Sequence, residues 1–240
     1  METIKISKNK TLMIAHRGVS GLESENTLES FMLACQRSYY GIETDLHVTK
    51  DNRFIISHDD NTLRMSGVDK VICETNYEEL RQIRIPLKNG GYTHFPNLDE
   101  YIELCEKYNK VSVLELKGNY SDANIIDVLE IIRSHNYLSN VIFISFHKEN
   151  LILLKKHYPE GSYQFLSGIN DDEMKQDVLN FLLENNFSAD VYYRHLNLAF
   201  INECKKHNIN INVWTVDEPS DALKLINEVG VDFITSNILE

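Results

Sequence analysis

Cysteine is scarce in this chain and carries no pairing pattern. The four residues Cys35, Cys73, Cys105 and Cys204 show no CxxC and no Cys–His spacing, which leaves neither a disulfide framework nor a thiolate metal site to organise the fold. Three of them fall on expected helices and read as small apolar residues of a reduced, cytoplasmic protein. No run approaches the ~18 apolar residues of a membrane span, and Met1 to Lys10 lacks the apolar stretch of an export signal, so neither is expected. Positive charge is also short. Lys and Arg number 24 against 36 Asp and Glu, a net charge of −12, which argues against a nucleic-acid partner because phosphate backbones need a basic footprint. No linker, low-complexity tract or internal repeat divides the chain. Its 240 residues are expected to form one domain with a large core.

What is present is an alternation of short apolar runs with longer amphipathic segments, the mark of βα units on a parallel sheet. Strands are expected at Leu12–Ala15, Ile42–His47, Val111–Leu116, Val141–Ser145, Ser162–Phe165, Asp190–Tyr193, Ile211–Thr215 and Asp232–Thr235. A TIM-type (β/α)8 barrel accommodates all eight; an open doubly wound sheet is the competing arrangement. Capping boxes are expected at Asn26/Glu29, opening a helix from about Leu28 to Tyr40 that Gly41 closes, and at Asn97/Glu100. Ser121 and Pro219 mark two further helix starts. Between about residues 60 and 96 the pattern weakens, with only Tyr77 to Ile83 reading as a short helix. This segment is expected to be a small insertion after a hairpin, or simply a long connection.

The densest stretch runs from Leu12 to Asp59. It ends one apolar strand on His16-Arg17-Gly18, places Glu43 and Asp45 on one face of the next, and closes on His58-Asp59. Two like charges on a half-buried face call for a cation, unless one of them faces solvent at the strand end. The turn Thr49–Arg53 is too short for a parallel crossover, so Phe54–Ser57 is expected to return as a hairpin arm about Asp51-Asn52, with His58 opposite Asp45. Further on, Glu115 and Lys117 share one face of their strand. Taken alone they read equally as a mutually satisfied pair, Arg17 as an arginine under a loop, Trp214 as core, and either histidine as structural. Of the other histidines, only His147 is expected to reach a barrel mouth.

Ala15-His16-Arg17-Gly18, Glu25-Asn26-Thr27, Glu43-x-Asp45, Thr49-Lys50-Asp51 and His58-Asp59, followed by Glu115-x-Lys117, Ser145-Phe146, Val213-Trp214-Thr215-Val216 and Asp232-Phe233-Ile234-Thr235, resemble the glycerophosphodiester phosphodiesterase family in order and spacing. The resemblance spans nearly the whole chain and implies the same barrel. It implies that Glu43, Asp45 and Glu115 bind a divalent metal ion; three carboxylates suit a hard Ca2+ or Mg2+ better than zinc. It further implies His16 and His58 as an acid–base pair, with Arg17 and Lys117 on phosphate oxygens and Trp214 against the glycerol or alcohol. The expected activity is release of glycerol 3-phosphate and an alcohol from a small glycerophosphodiester. A lysophospholipase D-like enzyme would need an apolar groove, for which Gly91 to Phe95 offers little, and a non-catalytic binding protein would have no need of an acid and a base together. Two departures stand out. Ser24 replaces the usual proline, and Thr235-Ser236-Asn237-Ile238 stands where Thr-Asp-x-Pro is common, which leaves the contacts of the last loop open.

Overall fold

The computed structural model describes residues 2–240. Eight parallel strands form a ring: β1 (Leu12–Ala15), β2 (Gly41–Val48), β3 (Val111–Leu116), β4 (Val141–Ser145), β5 (Ser162–Ser167), β6 (Ser188–Tyr192), β7 (Ile211–Trp214) and β8 (Phe233–Ser236). Each pairs with its neighbour in sequence, and β1 pairs with both β2 and β8, so the sheet closes. Closure excludes the open doubly wound arrangement. Three strands have the expected bounds, and the other five differ from them by one or two residues at one or both ends.

Alternation along each strand separates two apolar layers. Ile42 and Leu46 point outward into the large core between sheet and helices. A small second core of Ile14, Val113, Ile142, Ile144, Leu166 and Phe233 packs within the barrel. Polar inward positions then gather at the C-terminal ends of the strands, the end where barrel enzymes keep their chemistry.

The first helix is shorter than expected, Leu28–Cys35, and its capping box is Thr27 with Ser30 rather than Asn26 with Glu29. Asn26 is drawn one step out of the helix because its side chain is used elsewhere. Gly41 does not close this helix; it opens β2, where an added Cβ would lie 2.8 Å from the Val111 carbonyl oxygen. The Asn97/Glu100 box, the Ser121 cap and Pro219 in the first turn are as expected.

The hairpin forms, but its register differs by one residue. Leu46 faces Ile56 and Val48 faces Phe54, so Asp45 is opposite Ser57, whose amide donates to the Asp45 carbonyl. His58 therefore stands beyond the arm (Phe54–Ile56) and not across from Asp45. The segment after it is more ordered than its sequence suggests. It holds short helices at Leu63–Ser66 and Tyr77–Arg81 and a hairpin of Arg84–Pro86 with Tyr92–His94. Ile55, Ile72, Leu80, Ile83, Ile85 and Phe95 give it a core of its own.

Asn150 secures the loop after β3 that carries Lys117. It is 1% exposed, donates through Nδ2 to the Gly118 carbonyl at 2.8 Å and accepts the Tyr120 amide at 3.1 Å. Asn150→Ala leaves both backbone groups without a partner. A loss of about 2–3 kcal/mol is expected, read as a lower urea midpoint at unchanged slope; an unchanged midpoint would show that the loop is held by other means.

Candidate active site

The site begins where β1 ends. Arg17 has a left-handed φ of 55° and its amide donates to Glu43 Oε2 at 2.9 Å. Gly18 follows at φ 74°, where a Cβ would sit 2.5 Å from the Ser30 carbonyl carbon, so no larger residue fits this turn. Asn26, also left-handed at φ 54°, donates through Nδ2 to Asp45 Oδ2 at 2.8 Å and accepts the Thr44 hydroxyl. Backbone strain in both motifs is thus tied to the carboxylates of β2.

Glu43, Asp45 and Glu115 are all buried. Asp45 and Glu115 are register partners on β2 and β3, and one oxygen from each of the three lies within 4.8 Å of the others. Lys117 Nζ is 3.0 Å from Glu115 Oε1 and 3.4 Å from Asp45 Oδ1, and Arg17 Nε is 3.4 Å from Asp45 Oδ2. Burial works to raise the Asp45 carboxyl, but Lys117 and Arg17 hold it below its usual value. Burial and the Asp45 charge push Glu43 well up and Glu115 up to about 8. Two protein cations are therefore too few for three buried carboxylates. Asp45 Oδ1 also has no hydrogen-bond partner among the described residues. An all-oxygen donor set with surplus negative charge fits a hard divalent cation.

The two histidines are held differently. His16 Nδ1 lies 2.8 Å from Asn237 Oδ1, and Asn237 Nδ2 is turned to the Asp217 carboxylate at 2.6 Å. Asp217 can only accept here, so the amide oxygen faces His16, Nδ1 is the donor, and Nε2 keeps its lone pair. Burial, with Arg17 beside it, lowers His16 to about 4, a neutral ring. His58 Nδ1 is instead 2.7 Å from Asp59 Oδ1. Asp59 is lowered to about 2, first by its hydrogen bond to Arg64. Arg64 reaches on to Glu25 at 2.7 Å, and Glu25 accepts from Arg17 at 2.9 Å. This chain of alternating charge joins the segment after the hairpin to the first loop.

His16, Arg17, Glu43, His58, Glu115 and Lys117 line one cavity of about 170 Å³. Trp214 lines it as well and packs edge-on to Phe146. The structure thus brings seven of the eight residues singled out in the sequence to one cavity wall, with Asp45 directly behind. A neighbouring open groove shares Glu115, Lys117 and Phe146 and carries both His147 and His47, so His147 is not the one additional histidine near the mouth. Sequence reasoning missed Asn26, Asp217, Asn237, Arg64 and Asp190. Asn26 and Asn237 lay in recognised motifs, but their partners come from distant parts of the chain.

Among curated proteins, a glycerophosphodiester phosphodiesterase of Caldanaerobacter subterraneus subsp. tengcongensis is 28% identical over 233 residues, covering 95% of this chain and 94% of its own. Among solved structures, an Oleispira antarctica phosphodiesterase in complex with the product sn-glycerol-3-phosphate superposes with a TM-score of 0.83 at 27% identity, covering 95% and 93% of the two chains. A glycerophosphodiester phosphodiesterase from Parabacteroides distasonis gives 0.79 at 27%, covering 96% and 94%. The family model described as the glycerophosphoryl diester phosphodiesterase family matches residues 16–239, from the first histidine to within one residue of the C-terminal end. A barrel with this mouth, matched over almost its whole length, belongs to the glycerophosphoryl diester phosphodiesterase family.

Proposed function

We propose that this phosphodiesterase releases glycerol 3-phosphate from small glycerophosphodiesters, with His16 as base and His58 as acid. The observation that carries the reading is the pair of histidines on one cavity wall, each held through Nδ1 but by partners of different charge. His16, backed by a neutral amide and kept neutral, suits removal of a proton from the attacking water or glycerol hydroxyl. His58, backed by the Asp59 carboxylate, suits delivery of a proton from Nε2 to the departing alkoxide.

Glu43, Asp45 and Glu115 would hold the divalent ion, Ca2+ or Mg2+. Bound there, it supplies Lewis-acid stabilisation of a phosphoryl oxygen. Arg17 and Lys117 face the same cavity and supply donors for the remaining phosphate oxygens. Arg17 Nε is turned to Asp45 at 3.4 Å, which fixes the guanidinium at the edge of the cavity. Trp214 offers an apolar face for the organic part.

Residues 1–240 are taken as one barrel domain with 60–96 inserted after the hairpin. Arg64 and the Ser24 hydroxyl, which donates to the Pro86 carbonyl at 2.9 Å, tie that segment to the mouth. Its Phe95 is spent on its own core, which disfavours an acyl groove there. No helix among the described residues is long and apolar enough to cross a membrane. Four unpaired cysteines, three of them buried, support a cytoplasmic setting.

The test is a coupled assay for glycerol 3-phosphate on the choline, ethanolamine and glycerol diesters. Release from at least one is expected; release from none would overturn the reading.

A further inference from the structure

Asp190 is the one carboxylate of the cavity that the proposed chemistry leaves unused. It lies on β6, across the barrel from the metal-site strands β2 and β3, and lines the same cavity as His16 and Lys117. It is 1% exposed, and its Oδ1 has no hydrogen-bond partner among the described residues. The polar side chain next to it on the sheet is already satisfied. Asn212, its register partner on β7, donates to Gln164 Oε1 at 3.0 Å and accepts the Thr235 hydroxyl at 3.2 Å. The same cavity is lined by Ile144, Leu166 and Trp214, the last with its Nε1 also free of hydrogen-bond partners among the described residues. Burial and the Glu115 charge push its carboxyl well above the ordinary range. A buried polar group without a partner is costly, and one aimed into a substrate cavity points to a polar group of the ligand.

We infer that Asp190 is the specificity-determining residue that accepts a hydrogen bond from the terminal hydroxyl of the glycerol moiety. The inference rests on the function proposed above and deepens it. With phosphate held on the β1–β3 side, the vicinal hydroxyl stays near the histidines, and the terminal hydroxyl is the polar group that reaches across. A carboxyl oxygen accepts that bond in either protonation state. An acyl ester at this oxygen removes the donor, and a cavity of about 170 Å³ is below the size of drug-sized sites. The substrate class is then a deacylated glycerophosphodiester, not a lysophospholipid.

The test is a double-mutant cycle on kcat/KM. It uses sn-glycero-3-phosphocholine (or whichever of the three diesters the wild type turns over best), the 1-deoxy analogue retaining the vicinal hydroxyl, and the variants Asp190→Ala and Asp190→Asn. Wild type should favour the glycerol diester by about 10–100-fold, the cost of leaving a buried acceptor unmet. Asp190→Ala should lose that preference, mostly through KM, with a far smaller loss on the deoxy analogue; Asp190→Asn, which keeps an acceptor oxygen, should retain most of it. Equal losses on both substrates, or an unchanged preference in the alanine variant, would overturn the inference while leaving the general function standing. Should Asp190→Ala fail to fold, wild type alone decides, since equal rates on the two substrates overturn it. A wild type inactive on every glycerophosphodiester removes the function and this inference together.

Discussion

Stripped of divalent metal by excess EDTA, the enzyme should lose about 10³-fold or more of its turnover, since transition-state stabilisation of several kcal/mol goes with the ion. Added Mg2+ or Ca2+ should restore it, and the better of the two identifies the ion. The site predicts this because Glu43 and Glu115 are raised by burial and by Asp45, while Arg17 and Lys117 compensate Asp45 first. Glu43→Gln should weaken metal binding much more than folding, because a neutral amide tolerates burial without a cation. The accompanying readout is thermal. Metal at 100 times its Kd should stabilise the wild type by about 2.7 kcal/mol, and the variant by clearly less at the same concentration. Full activity in excess chelator, with no metal found by elemental analysis, would remove the ion from the mechanism.

The residues legible in the sequence share one property: each sits at the end of an apolar run whose direction and face can be read locally. Strand periodicity put Glu43 and Asp45 on one face and Glu115 with Lys117 on another, and closure of the barrel then brought the faces together. The hairpin register was not legible to a single residue, because Thr49-Lys50-Asp51-Asn52-Arg53 admits more than one turn. The chain adopts the one in which Thr49 Oγ1 donates to Asp51 at 2.7 Å and accepts the Arg53 amide. Asn26 read as a helix cap because its spacing to Glu29 is that of a cap. Its real partners, Asp45 and Thr44, are 18 or more positions away. Asn237 and Asp217 come from separate loops and are joined directly by two hydrogen bonds behind His16. Asp190 carried no signal, since one acid near the start of an apolar strand is common and its importance lies in what surrounds it.

His16→Ala and His58→Ala should each lower kcat by about 10²–10⁴-fold, and the manner of the loss should tell them apart. Both side chains stand on loops at the mouth, 16% and 35% exposed, so the effect on stability should be small. The double variant should lose much less than the product of the single losses, because an acid and a base serving one phosphate act as a unit. His58 carries the Asp59 carboxylate on Nδ1 and is assigned the acid, so His58→Ala should be spared most of its loss when the leaving group is p-nitrophenolate, which needs no proton. His16→Ala should show no such sparing, because the nucleophile must still be deprotonated whatever leaves. The reverse pattern would exchange the two roles and make the Asn237–Asp217 pair the support of the acid. A His58→Ala enzyme that keeps its rate on glycerophosphodiesters would show that the Asp59–His58 pair only fastens Arg64 to the mouth, and the two-histidine mechanism would have to be abandoned.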